Sequence, residues 1–157
     1  MGLLARAGFA WVKWKSRRGL REDAAILTQD AKHVALLIGV RGETYAYWYL
    51  RRQGYVFIAR NYEPACEKGE LDLVGFDGDT LAFVEVRTRA LAKGRPALPE
   101  LSITREKHEV LVRTAHAFLR ERHVKKCPVR FDVVAIDHAP GQPPQVRLHK
   151  NALHPKA

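Results

Sequence analysis

The sequence predicts an α/β domain, a mixed β-sheet flanked by helices. Three observations carry that expectation. Residues 69 to 89, GELDLVGFDGDTLAFVEVRTR, alternate as two strands about a turn. Segments on either side of them show helical spacing, and the apolar run VRFDVVAI is followed by QVRLHK near the C-terminal end. In order these read helix, strand, strand, strand, helix, strand, strand, a pattern that buries helices against a sheet.

The elements follow from the N-terminal end. Residues 1 to 21 hold six Lys and Arg and no acid, with Leu3, Leu4, Phe9, Trp11, Val12 and Trp14 among them. This stretch, within a basic, helical extension over residues 1 to 40, is read as a helix packed on the domain or partly disordered; a helix lying on anionic lipid or nucleic acid is the alternative. From Glu22 to Gly54 the pattern is helical, with an interruption expected near Gly39 to Gly42. Glu43, Ala46, Tyr47, Leu50 and Gly54 fall on one face, so Glu43 lies on the core-facing stripe and Gly54 is placed as the C-terminal cap. An acid in a first helical turn is also favoured by the helix dipole alone. YVFIARNY then reads as a strand, and Glu63-Pro64 to Gly69 as a loop.

LDLVGF and LAFVEV are β-branched and aromatic runs joined by DGDT, which makes a hairpin. With Asp77-Gly78 as its loop, Asp72 faces Phe83 and Glu85 is its diagonal neighbour. With a loop from Asp77 to Thr80, Asp72 faces Glu85 directly. Either even loop places Asp72, Glu85 and Arg87 on one face, whereas a three-residue loop separates Asp72 from the others. Two carboxylates side by side in a half-buried sheet repel each other and lose hydration. A proton, an Arg partner or a divalent cation offsets that cost, and Mg²⁺ characteristically takes one or two carboxylates plus water and phosphate oxygens. The alternative is a structural ion pair of Asp72 or Glu85 with Arg87.

After Arg89, ALAKGRPALPELS reads as a long loop. Thr104 caps a helix whose buried stripe is Leu111, Ala115, Phe118 and Leu119. VRFDVVAI is apolar enough for a strand covered on both faces, and QVRLHK suits an edge.

The chain has 157 residues, 46% hydrophobic, which suits one domain with a sizeable core. No apolar run is long enough to span a membrane. Two cysteines, Cys66 and Cys127, exclude a disulfide scaffold or a Cys-rich zinc site, and with no secretory signal read at the N-terminal end a reducing cytoplasm is expected. His108, His116 and His123 recur at spacings unsuited to a tight ligand pair and read as surface residues. The net charge is +10, unevenly spread: residues 63 to 85 hold seven acids against Lys68, while residues 87 to 130 hold twelve Lys and Arg against four acids. An acidic knot in a basic chain suits a cation site approached by a phosphate backbone. Taken alone, residues 105 to 126 read as a solvated helix face.

The runs RGETYAYWYLRRQGYVFIARNY, GELDLVGFDGDTLAFVEVRTR and VRFDVVAID, with a terminal NAL, resemble the YraN family of bacterial proteins. Its fold is similar to that of archaeal Holliday-junction resolvases and the wider PD-(D/E)xK nuclease superfamily. The resemblance covers residues 41 to 153. It implies an endonuclease-like domain there, with a restriction-endonuclease-like mixed β-sheet flanked by helices. It also implies a metal-dependent nuclease acting on DNA or RNA, branched or single-stranded. Asp72 corresponds to the first superfamily carboxylate, Glu85 to the second and Glu43 to the helical glutamate, together holding Mg²⁺ or Mn²⁺ with the carbonyl of Val86. Glu70 matches either an outer ligand or a solvent-facing residue. Arg89, Lys93, Arg95, Arg105 and Lys107 are expected to grip the nucleic-acid backbone. Analogy with the resolvases suggests a homodimer. One position departs: the usual hairpin Lys is Arg87, which stays protonated and serves to position groups or stabilise charge. That change also suits a non-catalytic nucleic-acid-binding or adaptor protein retaining the fold.

Overall fold

The computed structural model of the protein describes residues 31–90, 103–124, 126–138 and 143–152. The expected extension over residues 1 to 40 therefore lies largely outside the described residues, as does most of the loop after Arg89, with Lys93 and Arg95. The elements are α1 (Ala31–Arg52), β1 (Val56–Tyr62), β2 (Leu71–Asp77), β3 (Thr80–Ala90), α2 (Arg105–Glu121), β4 (Val129–His138) and β5 (Gln145–His149). Their order is the expected one. No helix among the described residues is long and apolar enough to cross a membrane.

The interruption expected near Gly39 to Gly42 is absent, because α1 runs unbroken through both glycines. At Gly42 the reason is close approach. A Cβ added there would come within 1.8 Å of Thr88 Oγ1, so the missing side chain lets the helix lie directly on β3. The helix does end at the expected cap. Gly54 has φ +103, its N–H donates to the Arg51 carbonyl at 3.2 Å, and the Tyr55 N–H donates to the Leu50 carbonyl at 3.1 Å. These two bonds form a Schellman closure, which satisfies carbonyls that the helix leaves over. Leu50 and Tyr55, brought together by it, pack in one buried cluster.

The five strands stand in the order β1-β2-β3-β4-β5. β1 with β2, β2 with β3, and β4 with β5 are antiparallel, whereas β3 and β4 are parallel. The sheet is therefore mixed, and the parallel pair requires the crossover that contains α2. The hairpin ladder runs to Asp77 opposite Thr80, which leaves Gly78-Asp79 as a two-residue connection. Leu73 pairs with Val84, so the same register sets Asp72 opposite Glu85. This is the direct-facing alternative.

Each face of the sheet carries its own apolar layer. Leu73, Ala82, Val84, Val134 and Ile136 pack with Tyr45, Ala46 and Leu50 of α1. Val74, Leu81, Phe83, Phe131 and Val133 pack with Leu111, Ala115 and Phe118 of α2. The predicted α2 stripe is present, with Leu119 at its partly buried margin. β4 is buried from Phe131 to His138, as a central strand covered on both sides must be.

Candidate functional site

The carboxylates gather where the β2–β3 ladder stops. Beyond the Leu73–Val84 pair, the N–H of Val86 donates to Asp72 Oδ2 at 2.7 Å, so a side chain takes a position that strand backbone holds elsewhere in the ladder. In a strand the N–H and C=O of one residue point the same way. The Val86 carbonyl is thereby turned toward the same gap.

Asp72 is half-buried and Glu85 is 9% exposed. Burial pushes the Asp72 carboxyl up to about 7; Glu85 and then Glu43 add to the rise, while the Val86 N–H and Lys107 oppose it. Glu85 Oε1 has two cations near it, Lys107 Nζ at 3.3 Å and Arg87 Nε at 3.9 Å. Glu85 Oε2 is buried and receives no hydrogen bond.

That oxygen distinguishes the pair from the protein's structural carboxylates. Asp132 is 0% exposed, yet both its oxygens are satisfied. Oδ1 accepts from Arg130 Nε at 2.9 Å and from the Asn151 N–H at 2.9 Å, and Oδ2 accepts from the Tyr55 hydroxyl at 2.9 Å. Asp137 accepts from Arg89 Nε at 3.1 Å and from Arg147. The other buried carboxylates among the described residues, Asp132 and Asp137, are paired through both oxygens, as the cost of desolvation requires. In the Asp72–Glu85 pair, Asp72 has a raised pKa and Glu85 an unsatisfied oxygen instead.

Glu43 reaches the same region from α1. Its Oε2 accepts from Asn61 Nδ2 at 2.7 Å, and Asn61 holds a left-handed backbone with φ 47, which Asn tolerates better than most residues. Glu43 is near enough for its charge to act on Asp72. Among the described residues, however, no three His, Cys, Asp or Glu side chains form a group that could cage a metal ion. The fit is instead to a cation held by one or two carboxylates with water completing its shell, and the bare Glu85 Oε2 is the observation that supports it. Glu70 is exposed, which favours its solvent-facing alternative.

Of the expected phosphate-binding residues, Arg89, Arg105 and Lys107 are described, and each has a different carboxylate partner. Lys93 and Arg95 lie outside the described residues. Arg105 is 88% exposed and pairs with Glu109 at 3.0 Å within α2. Arg89 is drawn onto Asp137, and Lys107 is turned onto Glu85. Sequence reasoning thus named Lys107 for phosphate contact without its place beside the carboxylates, and it did not single out Asn61. One sequence signal for Lys107 exists. A cation in a helix's first turn opposes the dipole, so an acidic partner is expected for it, although Arg105 in the same turn finds its own within the helix. Asn61 gave no comparable signal, because only the fold brings β1 beside α1.

The model of the uncharacterised protein family UPF0102 matches residues 42–136. A UPF0102 protein of Koribacter versatilis is 35% identical over 129 residues, covering 82% of this chain and 87% of its own length. One of Pseudomonas aeruginosa is 43% identical over 117 residues, covering 73% of this chain and 90% of its own. One of Herminiimonas arsenicoxydans is 46% identical over 101 residues, covering 64% and 77%.

Proposed function

For this chain, which belongs to the uncharacterised protein family UPF0102, the YraN family, we propose a metal-dependent phosphodiesterase acting on DNA or RNA. The observation that carries the reading is the buried Glu85 Oε2, left without a donor beside the facing carboxylate of Asp72. A carboxylate pair kept in that state at the end of a sheet is poised for a divalent cation, Mg²⁺ or Mn²⁺.

Asp72 and Glu85 hold the ion in this reading, with the Val86 carbonyl turned to the same gap and Glu43 kept nearby by Asn61. When bound, such an ion supplies Lewis-acid polarisation of a phosphoryl oxygen and activation of water. The remaining work falls to the chain itself. The Val86 N–H fixes the orientation of Asp72, and the cations beside Glu85 stabilise charge developing on phosphate oxygens. The positive balance of the chain favours a polyanionic substrate, branched or single-stranded nucleic acid being the expected class. Cys66 and Cys127 are both free thiols, which accords with work in a reducing cytoplasm.

A second reading, a non-catalytic nucleic-acid-binding or adaptor protein, draws its support from Arg87, which keeps its proton at the hairpin position where the resemblance calls for Lys. Incubation of branched and single-stranded DNA and RNA with the protein and Mg²⁺ or Mn²⁺ separates the two. Cleavage that disappears with Asp72→Asn is the expected result. Binding without cleavage under every metal condition selects the adaptor.

A further inference from the structure

Arg87 is the nearer cation to Glu85 in sequence, but not in space. Lys107 Nζ stands 3.3 Å from Glu85 Oε1 and Arg87 Nε 3.9 Å from the same atom. The first turn of α2 divides its labour. Thr104 caps the helix by accepting the Lys107 N–H at 3.3 Å, Arg105 reaches along the surface to Glu109, and Glu106 is the acid that the dipole favours. Lys107 alone of the three is directed at the sheet. Helix preference does not account for a lysine there, because a cation in the first turn opposes the dipole. The carboxylate pair does account for it, and the charge of Lys107 acts on Asp72 as well as on Glu85.

The two cations also differ in kind. A guanidinium is planar and delocalised, whereas an ammonium is a compact point charge with three rotatable donors on a flexible stem. Contact with Glu85 occupies one of those donors and leaves the rest of the ammonium to face a ligand. The Lys107 side chain is 41% exposed, so it is open to solvent as well as in contact with Glu85.

We propose that Lys107, rather than Arg87, is the catalytic cation of this site, donating a hydrogen bond to a non-bridging phosphate oxygen while Glu85 holds its ammonium in place. The inference rests on the phosphodiesterase reading above. Lys107 exchanges no proton in this role; it stabilises charge on the phosphate as that charge develops.

The test uses the full chain and three variants, Lys107→Met, Lys107→Arg and Arg87→Met, with circular dichroism to verify folding. The first measurement is a Mn²⁺ titration of thermal stability without nucleic acid. Removing a positive charge beside Glu85 lowers the half-saturating Mn²⁺ concentration roughly threefold in Lys107→Met, more than in Arg87→Met, and Lys107→Arg restores the wild-type value. The second is single-turnover cleavage of labelled single-stranded and branched DNA. Lys107→Met loses about 100-fold or more, Arg87→Met loses less, and Lys107→Arg recovers part of the rate. A wild-type protein that cleaves while Lys107→Met cleaves equally well, or keeps the wild-type Mn²⁺ midpoint, overturns this assignment alone. So does a larger loss in Arg87→Met. A wild-type protein that cleaves neither substrate overturns the phosphodiesterase reading and the role of Lys107 with it.

Discussion

Asp72 Oδ2 accepts the backbone N–H of Val86 at 2.7 Å, across the gap where the β2–β3 ladder has ended. The contact fixes one carboxylate beside another, Glu85, one of whose oxygens the fold leaves without a donor. Site and stability are therefore opposed at this point, and the first prediction follows from that opposition.

Burial and the neighbouring Glu85 raise Asp72 from 3.8 to about 7, so the folded state prefers its protonated form. The contribution to stability is complete below the unfolded value and is lost as pH rises through about 7. Metal-free protein with Asp72→Asn should therefore melt higher than wild type at pH 8, by about 5 °C. At pH 4 the difference should nearly vanish. Thermal scans in EDTA at both pH values check this, and an equal difference at both would remove the titration from the explanation.

Asp132 should behave in the opposite way. Its oxygens serve Arg130, Tyr55 and the Asn151 N–H, so Asp132→Ala strands several buried donors at once. A loss of about 3 kcal/mol is expected in urea unfolding. Asp132 is thus a structural residue; cleavage by variant protein that remains folded should be close to wild type.

Gly42→Ala tests the approach of α1 to the sheet. The new methyl group meets Thr88 Oγ1, and the helix must shift, at a cost of about 1–3 kcal/mol. Adding Thr88→Ala removes the oxygen while its Cβ stays 3.0 Å away, so the double variant should recover only part of the loss. Strict additivity of the two substitutions would show that the contact is unimportant.

Arg87→Lys addresses the hairpin position itself. If Arg87 assists the reaction, a shorter cation with a tunable pKa should retain the fold and raise Mg²⁺-dependent cleavage. If it serves as a structural clamp on Glu85, melting temperature should fall instead. Both quantities measured on the same preparations, with and without Mg²⁺, decide between these roles, and a fall in melting temperature with no cleavage in either protein favours the adaptor.

The mixed sheet and the order of elements along the chain were legible because period-two and helical patterns change at recognisable turn residues, and because a hairpin loop of even length ties Asp72 and Glu85 to one face. Gly54 was legible as a cap for the same local reason. Gly42 was misleading, since glycine weakens a helix in isolation and the compensating contact with Thr88 lies 46 residues away in the chain, on β3. The contacts of Lys107 with Glu85 and of Asn61 with Glu43 were hidden for a related reason: a side chain's partner across elements depends on how helix and strand pack, which no local period records. The pairing of Arg89 with Asp137 is of the same kind, since it rests on the parallel register of β3 and β4.

That parallel register also bears on how the protein reaches its native state. β1, β2 and β3 are joined by short local connections, so they and α1 can assemble early, bringing Glu43, Asp72 and Glu85 together. The β3–β4 ladder must wait for the whole crossover, with the loop-closure entropy that this entails, and Lys107 arrives only with it. Until then Asp72 and Glu85 face one another without that counter-charge. If Asp72 and Glu85 hold a divalent cation as proposed, that ion present during refolding should accordingly speed the early phase, before the helix that later stands over them has docked.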